Sequence, residues 1–203
     1  SNATNFVAAA RGTSDHALTY FKYVLEVNSE YTVGLSAPSV VTLYRGKINY
    51  SNSIIIGCSQ SGKAADVLEI IKKGNEQGAI TIAITNDVDS PMAKEAKFHL
   101  FCNAGLESSV AATKTFSAQL YLLLWLASEL SEDKVALKLL KNLSQEIENV
   151  IPQIDSLTTK YAEKFKDMKS GFVLSRGITY AIALEATLKL QETCYIQMKG
   201  YDR

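Results

Sequence analysis

Four short apolar runs, each ended by a polar turn and followed by a helical stretch, constrain the fold of this chain more than any other feature. FVAAA (6–10) ends in RGTSD and leads to a stretch with Leu18, Phe21, Val24 and Leu25 on one side. SIIIGC (53–58) passes through SQSGK into ADVLEIIKKG, and AITIAIT (79–85) passes through NDVDSP into a short helix. KFHLFC (97–102) precedes the loop NAGLESS and the helical run ATKTFSAQLYLLLWLASEL. A strand apolar on consecutive residues has to be covered on both faces, and strands separated by helices run parallel. The pattern therefore predicts an α/β fold, a doubly wound parallel sheet flanked by helices.

Residues 131–169 depart from that alternation. They carry helical periodicity with a mixed-charge outer face, broken or kinked at Pro152, and read as a helical linker. GFVLSRGITYAIALEATLKLQE then opens another strand–turn–helix unit, and its Arg176-Gly177 repeats the layout of Arg11-Gly12. The expected organisation is a first unit over 4–130, a linker over 131–169 and the start of a second similar unit over 170–203, cut off just after that unit's first helix.

Lys plus Arg and Asp plus Glu number 21 each, so no basic surplus stands ready for nucleic acid or an anionic membrane. The run LYLLLWLA (120–127) falls short of the about 20 residues a membrane span needs. Cys58, Cys102 and Cys194 lack CxxC spacing, which fits a reducing cytoplasm. With only His16 and His99, no metal site is expected. Ser1-Asn2-Ala3 reads as the remnant of a removed tag.

GCSQSGKA (57–64) misses the Walker A pattern GxxxxGK[ST] by one residue, because Ala64 stands where the magnesium-binding hydroxyl belongs. What the loop offers instead is Ser59, Gln60 and Ser61, beside a second polar turn at Thr13-Ser14. At the strand ends of a doubly wound sheet the two turns would open on one crevice, where backbone N–H groups and hydroxyls suit a sugar phosphate. Taken singly, each turn could equally be an ordinary helix cap. Glu185, Lys189 and Glu192 stand at i, i+4 and i+7, on one helix face. Spacing alone describes a solvated salt-bridge stripe.

ARGTSDHA (10–17), SQSGKAAD (59–66), ESSVAATKTF (107–116) and ALEATLKLQE (183–192) together resemble the sugar isomerase (SIS) domains of amino-sugar-phosphate enzymes, which are flavodoxin-like. The resemblance implies that Thr13, Ser59, Gln60 and Ser61 bind the sugar phosphate, with Ser14, Ala64, Val110 and Ala112 near the substrate. It also turns the helical stripe into an acid–base set that moves a proton between C1 and C2 of the open-chain sugar. In that set Glu192 is the general base, Lys189 the amine facing the substrate, and Glu185 a carboxylate near the amino or carbonyl group. A partly buried Glu among charges can be tuned toward neutrality for such work.

Within the family, hydroxyls stand in the synthase pattern where this chain has Ala64 and Ala112. RGTSDHA and VAATK are closer to the isomerising glucosamine-6-phosphate deaminases. The leading expectation is therefore a deaminase taking glucosamine 6-phosphate to fructose 6-phosphate and ammonia without metal or organic cofactor, as a cytoplasmic homodimer. The isomerase part of glutamine–fructose-6-phosphate aminotransferase is the enzyme alternative, and a non-catalytic sugar-phosphate-binding regulator the alternative of another class. The family's ring-opening histidine lies in a stretch that nothing up to Arg203 matches, so weak turnover is expected of this chain alone. His16 reads as a helix-start histidine and Cys58 as a packed thiol.

Overall fold

In a computed structural model of the chain, Ala3 and residues 5–202 are described. Ser1 and Asn2 of the tag remnant, and the outer limits Thr4 and Arg203 of the two expected units, lie outside them. Strands β1 (Asn5–Ala9), β2 (Thr32–Leu35), β3 (Ser53–Ser59), β4 (Ile80–Thr85) and β5 (Phe98–Phe101) form one parallel sheet in the order β2-β1-β3-β4-β5. The four apolar runs supply β1, β3, β4 and β5. β2 is an addition to the sequence reading: of TVGL only Val33 is buried, so this edge strand carries no apolar run to betray it.

Alternation within each run builds two cores. Ile56, Cys58 and Ile84 face one side of the sheet, where α1 (Thr13–Asn28) and α5 (Lys114–Leu130) cover them with Leu18, Phe21, Phe116 and Leu123. Ile55 and Ala83 face the other side, against Val67, Ile70 and Ile71 of α3 (Ala65–Glu76) and Met92 of α4 (Pro91–Glu95). A short α2 (Pro38–Thr42) adds Val41 to that layer. Continuous apolar runs are thus the sum of two interleaved faces, each buried by its own helices.

The order of the sheet reverses between β1 and β3, because β2 lies on one side of β1 while the rest of the sheet grows on the other. Crossovers on opposite faces leave a crevice at the carboxyl ends of those two strands. The turns after β1 and β3 are brought together there by topology, although their residues are far apart in the chain.

Beyond α5 come α6 (Lys134–Leu140) and α7 (Leu143–Phe165). α7 runs unbroken through Pro152. A proline removes one backbone donor, and the flanking turns carry the helix past it. None of the residues of α7 is buried. β6 (Ser170–Ser175), α8 (Tyr180–Cys194) and β7 (Gln197–Asp202) then form a βαβ unit with the two strands paired in parallel. The sequence reading ended with the helix of this unit. β7 corrects it, since QMKGYD has one buried residue, Met198, and no apolar run. Among the described residues no helix is long and apolar enough to cross a membrane.

Candidate functional site

The first turn is shaped by Gly12, which caps α1 at φ 56° and ψ −132° without a side-chain hydrogen bond. A side chain would oppose that backbone, so glycine precedes the helix and delivers Thr13 and Ser14 to its first turn. In the second turn Ser59 Oγ accepts from Gly62 N at 3.2 Å and Ser61 Oγ accepts from Lys63 N at 3.3 Å. Gly62 has φ 61°, and a Cβ on it would lie 2.2 Å from Oγ of the buried Ser90. The Walker-like glycine is therefore required by the turn itself, whatever the loop binds. Ala64 occupies the N-cap of α3 and offers no side-chain bond.

Together the turns enclose a cavity of about 260 Å³, which admits one small molecule and no polymer. Thr13, Ser14, Ser59, Gln60 and Ser61 line it, with Ala64 and Ala112 at its apolar patches. Val110 reaches its rim while being 96% exposed. The loop that carries Val110 and Ala112 is tied down by Glu107, whose Oε2 accepts from Thr113 N at 3.2 Å and Thr115 N at 2.9 Å at the start of α5. Those bonds, the Thr115 one foremost, hold the Glu107 carboxyl below its ordinary value.

From α8, Glu192 lines the same cavity. Lys189 Nζ donates to Glu192 Oε2 at 2.7 Å and to Thr13 Oγ1 at 3.1 Å, and it lies 3.3 Å from Glu185 Oε1. Thr13 Oγ1 in turn donates to Glu185 Oε1 at 3.1 Å, and His16 Nδ1 lies 2.8 Å from Glu185 Oε2. The helical stripe is thus not a solvated one: Glu185 is only 5% exposed and its carboxylate is fully engaged across the gap to α1. Burial raises its pKa, but the His16 bond, the Lys189 charge and the Thr13 bond outweigh that, so the group is held below its ordinary value. The buried carboxylate of the set is therefore a stabilised anion, and not a base raised toward neutrality. Glu192 is the exposed one of the pair.

Several residues that the sequence reading did not place in the site belong to this region. Arg11, used there only to align two turns, lines the cavity and pairs through Nε with Asp66 Oδ2 of α3. His16 is joined to the charged face of α8 through Glu185, a contact that no spacing along the chain could reveal. Gln119 also lines the cavity, and it had a signal: an amide on the buried face of α5, between Phe116 and Leu123. Cys58 lines it as a buried thiol. Burial and the nearby Cys102 push its pKa far up against a hydrogen bond from Ser14 that lowers it, so it is no nucleophile. Lys114 spends its ammonium on the Leu106 carbonyl at 2.7 Å, and His99 bonds Thr85 Oγ1 at 2.8 Å within the sheet.

A family model for the SIS domain matches residues 1–129. Among curated proteins, the glutamine–fructose-6-phosphate aminotransferase (isomerizing) of Thermotoga maritima is 36% identical over 98% of this chain and 34% of its own length. The enzyme of the same name from Aquifex aeolicus is 37% identical over 95% of this chain and 32% of its own. The chain thus spans about a third of the length of these relatives. A solved structure, the C-terminal domain of glucosamine-fructose-6-phosphate aminotransferase from Francisella tularensis, superposes with a TM-score of 0.84 at 28% identity, covering 99% of this chain and 59% of that one.

Proposed function

The chain belongs to the SIS domain family, and on that premise we propose that it is the isomerase part of a glutamine–fructose-6-phosphate aminotransferase. The carrying observation is Lys189, which donates both to Thr13 of the first turn and to Glu192 on the cavity wall. One ammonium thereby links the first turn, which borders the phosphate end of the cavity, with the group that would move the proton. On this reading Ser59, Gln60 and Ser61, with Thr13-Ser14, receive the phosphate of fructose 6-phosphate. Ammonia condenses at C2 with loss of water; Glu192 then takes a proton from C1 and returns it to C2, while the C1 hydroxyl proton passes to the imine nitrogen, leaving the aldehyde at C1 and the amine at C2. Lys189 offsets negative charge on the sugar oxygen as that proton moves, and the Glu185 anion, 3.3 Å away, holds the ammonium in place. The first unit, helical linker and second-unit start are carried over into this reading, as are a cytoplasmic homodimer and chemistry without metal or organic cofactor.

The deaminase that the motifs placed first is kept as a second reading. It is favoured by Ala64 and Ala112, which leave the cavity two hydroxyls poorer, and by His16 of RGTSDHA standing against Glu185. The protein supplied with fructose 6-phosphate and either glutamine or ammonium is expected to form glucosamine 6-phosphate. Ammonia release from glucosamine 6-phosphate, with no glucosamine 6-phosphate formed from fructose 6-phosphate and ammonium, would transfer the assignment to the deaminase. Failure to bind either sugar phosphate would remove both readings.

A further inference from the structure

At the base of the cavity Gln119 Nε2 donates to Ser14 Oγ at 3.0 Å, in a bond that is buried. Gln119 is 1% exposed, and its Oε1 has no hydrogen-bond partner among the described residues. An orphaned buried carbonyl is costly, and leucine would fill the same place in α5 between Phe116 and Leu123 without that cost. The position therefore holds an amide for what its N–H does to Ser14.

A serine hydroxyl has one proton to give and two lone pairs. With one lone pair occupied by the Gln119 N–H, the hydroxyl proton of Ser14 has to point away from Gln119. Thr13 is in the opposite condition, because it gives its only hydroxyl proton to Glu185. Of the two hydroxyls in the first turn, Ser14 is the one left to donate to an acceptor-only group such as a phosphate oxygen. Its other neighbour, the protonated and buried Cys58 thiol, is a weak acceptor that a phosphate outcompetes.

We propose that Gln119 is a positioning residue that sets Ser14 as a hydrogen-bond donor to the phosphate of the bound sugar phosphate. This rests on the sugar-phosphate reading of the cavity. Gln119 itself touches Ser14 and not the reacting carbons, so its influence falls on phosphate affinity and leaves the proton transfer alone.

The test is a double-mutant cycle read by calorimetric titration with fructose 6-phosphate and with inorganic phosphate. Ser14→Ala and Gln119→Met, the latter matching the volume without an N–H, are each expected to weaken both ligands about ten-fold. The double variant should bind no more weakly than Ser14→Ala alone. Gln119→Glu, which keeps the shape and takes the Ser14 proton, should weaken binding at least as much as Gln119→Met. In turnover the loss should sit in KM with kcat within about two-fold. Unchanged affinity in folded Gln119→Met and Gln119→Glu, or losses that multiply in the double variant, overturns the inference. If the unmutated protein binds neither ligand, the sugar-phosphate reading itself falls, an outcome visible before any variant is made.

Discussion

Glu185 and Glu192 stand two turns apart on one face of α8, yet the fold gives them opposite surroundings. The Glu185 side chain is 7% exposed and engaged by three groups, whereas that of Glu192 is 32% exposed and meets Lys189 alone of these on the cavity wall. Identical chemistry thus divides into a buried, fully bonded carboxylate and one that opens on the cavity. Glu192→Gln is expected to lower kcat by about 10²–10⁴ while fructose 6-phosphate affinity, measured by titration, stays within about two-fold. Unchanged turnover would take Glu192 out of the mechanism. The three charges and their spacing were legible in the sequence. Which carboxylate would be buried was not, because that depends on α1 standing opposite, with His16 and Thr13 supplying the bonds.

At the scale of elements, legibility followed the apolar runs. β1, β3, β4 and β5 are readable because a strand covered on both faces has to be apolar on consecutive residues. β2 and β7 lie at sheet margins where one buried side chain suffices, so TVGL and QMKGYD carry almost no pattern. α7 shows the converse: its periodic apolar positions include Ile147, Ile154 and Leu157, yet the helix buries no residue against either core. Ile154→Asp with Leu157→Asp should therefore change the melting free energy of this chain by no more than about 0.5 kcal/mol each. Phe21→Ala, which empties a fully buried position against Phe6, should cost about 3–5 kcal/mol. Chemical denaturation of the two variants side by side checks the contrast, and a large loss in the α7 variant would mean that the helix packs after all.

Across the whole molecule, α1 covers the five-stranded sheet while α8 belongs to the two-stranded one, so the bonds from Glu185 to Thr13 and His16 help tie the two sheets together. Because the folded protein holds the Glu185 carboxyl below its ordinary value, the anion stabilises the fold above the unfolded-state pKa of about 4.3. That contribution disappears as pH falls through the lower folded value. Glu185→Gln should accordingly lower Tm at neutral pH, by about 2–4 °C for each kcal/mol lost, with the gap to wild type closing below about pH 4.3. A gap that does not vary with pH in thermal melts would show that charge is not what the tie depends on. By itself the amino-acid sequence determined the alternating apolar and helical pattern, hence the parallel sheet, the two polar turns and the charged face of α8, since all of these are written in neighbouring residues. That the two turns open on one crevice was also readable from the predicted sheet; only the tertiary structure decided that Thr13 gives its hydroxyl proton to Glu185 and that Gln119 reaches Ser14. Those are contacts between distant segments, and burial and hydrogen bonding there depend on what the fold places opposite.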